Sequence, residues 1–213
     1  MTRAVIFDMD GTLIDTEKYY RRFWPKAMAE FGYHMTDEQA LEMRSLGRPF
    51  ASMRLKAWFG EKLDYEAVRK RRKELMMECL DSEGILRKPG ARTMLQYLRE
   101  KKIMAAVATA TDMERTREYL KITGLYPYFE RIISASMVDR GKPAPDIYLY
   151  ACKSLELEPG DCIAVEDSPN GVISAWRAGC RVIMVPDQTQ PEEYLRKCLY
   201  ACAESLGELP SIL

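Results

Sequence analysis

The stretch FDMDGTL ends an apolar run with two carboxylates, Asp8 and Asp10, one residue apart and directly before Gly11. A surface turn accounts for one acid and a glycine; the second acid calls for chemistry. Three later segments place polar groups after apolar runs in the same way: Thr109 and Thr111 after IMAAVA, Lys142 in GKPAPD, and Glu166 and Asp167 at the end of CIAVE. Acids gathered this closely repel one another unless a cation joins them, and hard oxygen donors of this kind suit Mg²⁺. The chemistry that uses such a set is phosphoryl transfer through a carboxylate nucleophile. One unligated oxygen of Asp8 attacks phosphorus. The cation and Lys142 neutralise the phosphoryl charge, while the hydroxyl and backbone amide near Thr109 and Ala110 hold its oxygens. Asp10 then has a separate role. Protonated, it donates to the departing alkoxide; ionised, it activates the water that hydrolyses the aspartyl phosphate. Gly11 permits the tight backbone that brings both acids into one site.

These residues share a site only if a sheet carries them to one edge. The short apolar runs AVIF, IMAAVA, RIISA, CIAVE and RVIMV read as buried parallel strands, and helical patterns separate the last four. Alternation of this kind predicts an α/β fold, a Rossmann-like parallel sheet with helices on both faces, and ligands bind such sheets outside the carboxyl ends of the strands. Between the first and second strands, the segment 16–86 breaks the rhythm. It holds no convincing strand. Tyr19, Tyr20, Phe23, Trp24, Met28 and Phe31 recur at helical spacing, and AVRKRRKELMMECL reads as a long helix. The expectation is a core of residues 1–15 and 87–213 with an inserted α-helical cap domain of residues 16–86, hinged near Asp15 and Thr16 and near Arg87 to Gly90. Most of Tyr19, Phe23, Met28 and Phe31 are expected to form the cap's own core.

Composition removes several classes of function. Lys and Arg together number 32, as do Asp and Glu, so no global charge excess draws the chain to nucleic acid or to an anionic membrane. The longest apolar runs fall well short of the roughly 20 residues a membrane span needs, and Asp8 and Asp10 interrupt the only candidate for a secretory core. A cytoplasmic location is expected, with a monomer as the default. The six cysteines form no CxxC pair, which argues against a disulfide framework or a zinc site; Cys198 and Cys202 alone could share a helix face. His34, the single histidine, reads as a surface or capping residue. The basic run RKRRK at 69–73 reads as a solvated helix face, with Arg71 or Arg72 reaching a substrate phosphate as the lesser alternative.

Taken one at a time, the motifs have plain explanations: an Asx-type turn, a strand-end hydroxyl, a surface lysine, a helix N-cap. Taken in order, DMDGTL, VATAT, the lysine of GKPAPD and VEDSPNG resemble the four motifs of the haloacid dehalogenase superfamily, over nearly the whole chain. The resemblance is nearest to its small phosphatases and beta-phosphoglucomutases. It implies Asp8 as nucleophile, Asp10 as acid/base, Thr109 and Lys142 as phosphoryl ligands, and Asp167 as a metal ligand assisted by Glu166. It further implies a contact between the metal and the backbone carbonyl of Asp10. Asp10 favours phosphate esters, because similar dehalogenases displace halide without a proton and lack an acid there.

Thr16 and Trp24 match the mutases, but Tyr20 stands where those carry a cap histidine, and Arg48 is placed differently in the cap loop. The preferred reading is a phosphatase acting on a small-molecule phosphate such as a sugar phosphate, with Thr16, Tyr20, Trp24 and Arg48 as cap contacts. A phosphosugar mutase comes second. A silent Mg²⁺-binding or phospho-accepting module ranks below both, since it needs neither Asp10 nor a cap.

Overall fold

The computed structural model describes residues 2–213. Its six strands, β1 (Ala4–Phe7), β2 (Met104–Thr109), β3 (Arg131–Ser134), β4 (Cys162–Glu166), β5 (Arg181–Met184) and β6 (Ala201–Cys202), form one parallel sheet in the order β3-β2-β1-β4-β5-β6. The five apolar runs are the first five strands. The sixth has two residues, too few to leave a pattern in the sequence.

Side chains alternate across the sheet, and both faces are apolar. Val5, Phe7, Val107, Ile163 and Val165 pack on one side with α5 (Ala91–Glu100) and the C-terminal segment; Ala4, Ile6, Ala106, Ala164 and Val182 pack on the other with α7 (Asp146–Ser154) and α8 (Pro169–Arg177). The chain runs outward from β1 through β2 to β3, then returns to the far side for β4 to β6. Strand order therefore reverses at β1, and the crevice beyond its carboxyl end is the expected ligand position.

The segment after β1 is helical: α1 (Glu17–Glu30), α2 (Asp37–Glu42), α3 (Phe50–Phe59) and α4 (Tyr65–Glu83). Trp24, Ala27, Met28, Met43, Leu55 and Val68 are part of an apolar cluster of its own. Tyr19 and Phe23, one turn apart on another stripe of α1, instead join Met76 and Leu80 of α4 in the cluster that reaches the sheet. Phe31 lies past the end of α1 and is exposed. Tyr19 and Phe23 depart from the cap core expected for them because α1 has two apolar stripes that face different neighbours, and Phe31 departs from it because it lies beyond the helix.

The two chain crossings run side by side. Asp15 N–H donates to the Leu86 carbonyl and Lys88 N–H to that of Leu13, each at 2.9 Å. All six cysteines are free; Cys198 follows the short α9 (Glu193–Arg196) while Cys202 lies in β6, so they share no helix face. His34 is exposed in the loop between α1 and α2. Among the described residues no helix is long and apolar enough to cross a membrane.

Candidate active site

Asp8 follows β1 directly, and its N–H donates to the Val165 carbonyl of β4 at 2.9 Å. The chain then turns through Gly11 at φ +83°, a conformation that favours glycine. A Cβ at Gly11 would stand 2.5 Å from Asp167 Oδ2. Both constraints on this residue act to bring β1's acids against β4's. Ser168, not the acidic pair before it, caps α8, accepting from Gly171 N–H at 3.2 Å, which frees Glu166 and Asp167 to face the site. A Cβ on Gly171 would overlap the Glu166 carboxylate.

Two arrangements result, one around each acid of the DMD motif. In the first, Lys142 Nζ donates to Asp8 Oδ1 at 2.5 Å and to Glu166 Oε1 at 2.6 Å, with all three side chains buried. Tyr148 OH donates to the same Glu166 oxygen at 2.6 Å, and the lysine ammonium lies 5.3 Å from the Tyr148 ring centre. In the second, three hydroxyls converge on Asp10. Thr16 donates to Oδ1 at 2.6 Å; Thr111 and Thr109 donate to Oδ2 at 2.7 and 3.3 Å.

Carboxylate oxygens of Asp8, Glu166 and Asp167 lie within 4.8 Å of one another. Asp8 Oδ2, Glu166 Oε2 and both oxygens of Asp167 are buried with no hydrogen-bond partner. Buried carboxylate oxygens left this way are costly unless a cation meets them, and an all-oxygen set fits a hard divalent ion. Burial pushes the Asp8 carboxyl up to about 8 against the pull of Lys142, and Asp167 rises well above its ordinary value through burial and the charge of Glu17. Lys142 is held charged by the two carboxylates, which outweigh its own burial. The Asp10 carboxylate stands outside the acid trio, which leaves its backbone carbonyl for the metal contact that the family resemblance implies.

A cavity opens over Asp8 and Asp10, with Tyr20, Trp24, Arg48 and Ala110 in its walls. Thr109 is fully buried and engages Asp10 and the Thr111 N–H, leaving Ala110 and Thr111 on the cavity surface. Thr16 likewise turns to Asp10. Three residues of the site escape sequence reasoning, Glu17, Arg44 and Tyr148, and a fourth, Arg72, enters it only as the lesser alternative to a solvated helix face. Glu17 is buried beside Asp10 and Arg44, with one carboxylate oxygen unpartnered, and burial raises its carboxyl well above the usual range. Its signal is the acid that follows Asp15 and Thr16 at the start of α1. Arg44 crosses from the helical segment to donate to Thr189 Oγ1 at 2.5 Å.

The loop carrying Gly47 and Arg48 rests on the Lys142 loop, backbone against backbone. Gly47 N–H donates to the Lys142 carbonyl at 2.8 Å, and Gly141 N–H to that of Arg48 at 2.7 Å. A Cβ on either glycine would come within 2.6 Å of the other's Cα.

Comparison with known proteins agrees with this geometry. The family model for haloacid dehalogenase-like hydrolases matches residues 2–179. Hexitol phosphatase A of Escherichia coli is 35% identical, over 86% of this chain and 82% of its own. The phosphorylated carbohydrates phosphatase of Thermotoga maritima is 34% identical, over 83% and 81%. Among solved structures, CbbY from Rhodobacter sphaeroides in complex with phosphate superposes with a TM-score of 0.82 at 27% identity, covering 98% of this chain and 96% of that one. The chain belongs to the haloacid dehalogenase-like hydrolases, as an enzyme of their phosphatase kind.

Proposed function

We propose that the enzyme hydrolyses small-molecule phosphate monoesters, sugar phosphates or metabolites like them, through an aspartyl phosphate on Asp8. The single observation that carries this reading is the division of labour between the two acids. Asp8 has one oxygen on Lys142 and one without a partner, as a nucleophile needs; Asp10 is held by hydroxyls on the cavity wall, as an acid/base needs. The names of the two curated relatives, phosphatases of hexitols and of phosphorylated carbohydrates, support the substrate class.

Asp8 attacks phosphorus as the ester P–O bond breaks, and Asp10 gives its proton to the departing alkoxide. Asp10, now ionised, takes a proton from the water that attacks the aspartyl phosphate, which returns Asp8 and releases phosphate. Lys142 offsets charge at Asp8 throughout, and Ala110 and Thr111 border the phosphoryl group. Asp8 and Asp167, with the Asp10 carbonyl and with Glu166 beside them, would hold Mg²⁺. Bound there, the ion would supply the positive charge that draws in a phosphate dianion and steadies it.

The core of residues 1–15 and 87–213 and the cap of residues 16–86 belong to the same proposal, supported by the cap's separate apolar cluster and the paired crossings. So does a cytoplasmic monomer acting on free metabolites, supported by free thiols and balanced charge. The mutase reading is the weaker one: Tyr20 commits its hydroxyl to Thr111 at 3.0 Å.

The test is release of p-nitrophenol from p-nitrophenyl phosphate with Mg²⁺ and with EDTA, beside Asp8→Asn. Turnover that needs the metal and vanishes in the variant supports the proposal. Folded, Mg²⁺-loaded protein without turnover would move the reading to a mutase or a silent module.

A further inference from the structure

We infer that Arg72 is the receptor for a second anionic group, a carboxylate or another phosphate, on the alcohol half of the substrate; the inference rests on the phosphatase reading above. Arg72 lies in the run RKRRK of α4. Its neighbour Arg71 stays outside and pairs with Glu30 and Glu74. Arg72 turns inward, is 7% exposed, and lines the same cavity as Asp8 and Asp10. Its guanidinium carbon sits 4.7 Å from the ring centre of Tyr20 and 4.5 Å from that of Trp24. Its Nε is buried without a hydrogen-bond partner, and none of the ion pairs among the described residues includes it.

A buried cation with no counter-charge is costly, and the fold leaves this one unanswered while answering its neighbours. Lys73 and Arg115 both reach Asp112, at 3.1 and 3.0 Å, and Arg69 reaches Glu66 at 3.6 Å. The two aromatic rings offset part of the cost and occupy the space around the guanidinium, leaving its N–H groups to recognise a ligand. Those groups form a planar fork that matches a carboxylate or phosphate with two parallel bonds.

The direction is set by Tyr20. Its hydroxyl contacts Thr111 at 3.0 Å, and Thr111 donates to Asp10 at 2.7 Å. Arg72 is therefore linked through Tyr20 and Thr111 to Asp10, the acid that protonates the leaving group, while Lys142 is bonded to the nucleophile. An ester whose phosphate meets Asp8 would thus present a second anion, if it had one, to Arg72.

Steady-state kinetics with Mg²⁺ on matched esters tests this. One arm compares phosphoglycerate with glycerol phosphate, for a carboxylate. The other compares fructose bisphosphate with fructose monophosphate, for a second phosphate; p-nitrophenyl phosphate is the common reference. Wild type is expected to favour the anionic member of at least one pair by about tenfold or more in kcat/KM. Arg72→Met, which keeps a long stem between the rings, is expected to lower kcat/KM for that member about tenfold more than for the reference, chiefly through KM. Arg72→Lys should recover part of the loss. The arm that responds identifies the anion.

Turnover of the reference without any anion preference overturns this inference alone, as does an Arg72→Met variant that slows every ester alike, which would make Arg72 packing between two rings. No turnover of any ester overturns the phosphatase reading and this inference with it. Should Arg72→Met fail to fold, inhibition of wild-type reference turnover by glycerate against glycerol decides: equal inhibition refutes the receptor.

Discussion

The Thr16 hydroxyl donates to Asp10 Oδ1 at 2.6 Å, so the residue that opens α1 holds the acid that attends the leaving group. Thr16 occupies the N-cap position of that helix, where a threonine ordinarily bonds a first-turn amide, yet it makes no such bond. The hydroxyl is committed to Asp10 instead. A hydrogen bond to a charged group contributes about 1.5–3 kcal/mol, so Thr16→Val is expected to lower kcat by roughly ten- to a hundredfold. KM for p-nitrophenyl phosphate should move much less. Equal changes in the two constants would show that Thr16 serves binding rather than the acid.

Lys142 is expected to matter to stability as well as to turnover. It is the buried cation between Asp8 and Glu166, and its removal leaves both carboxylates uncompensated. Breaking such a buried pair costs about 3–5 kcal/mol, so above about pH 8, where Asp8 is ionised, Lys142→Met should lower metal-free stability by that order in urea denaturation, and turnover should fall to background. A variant as stable as wild type without metal would contradict the buried-pair account.

Gly171 offers a test of the metal site that touches no acid. A Cβ there would overlap the Glu166 carboxylate, so Gly171→Ala must displace that side chain or the start of α8. Overpacking of this kind costs about 1–3 kcal/mol. The variant is expected to need more Mg²⁺ for half-maximal activity, by about tenfold if the Glu166 contribution is worth near 1.4 kcal/mol. An unchanged Mg²⁺ requirement would remove Glu166 from the metal site.

Asp8 gives the metal-free protein a pH dependence with a definite sign. Burial raises its carboxyl from 3.8 to about 8, so between these values the folded protein binds a proton that the unfolded chain has lost. Folded stability from this group is present at low pH and falls as pH rises through about 8. A divalent cation prefers the ionised carboxylate and opposes the loss. Thermal unfolding in EDTA should therefore weaken from pH 6 to about pH 9, and the gain from added Mg²⁺ should grow over the same range. A metal effect independent of pH would count against Asp8 as a ligand.

The acids, the lysine and the sheet were legible in the sequence because all follow from one rule: polar residues after continuous apolar runs, in a parallel sheet, meet at one edge. Residues whose direction is set by packing were not. Thr109 lies at the expected strand end, but three hydroxyls compete for Asp10, and Thr109 is drawn inward to it. Tyr148 reaches Glu166 from the first turn of α7, where its apolar neighbours mark it as ordinary core. Arg72 looked like part of a solvated basic run, yet Val68, Arg72, Met76 and Leu80 recur every four residues and are the buried stripe of α4. That spacing was the available signal, and the charge of the run masked it.

The side-by-side crossings at Leu13–Asp15 and Leu86–Lys88 bear on how this protein could have been assembled. The helical segment leaves the sheet and returns to it at neighbouring points of one short backbone ladder, each crossing already satisfied by the other's amides. A tight turn could close the same gap. A different insert would nonetheless cost more than selectivity, because Thr16 holds Asp10 and Gly47 N–H donates to the Lys142 carbonyl from within the helical segment. The stretch beyond the ladder thus carries part of the chemistry as well as walls of the cavity.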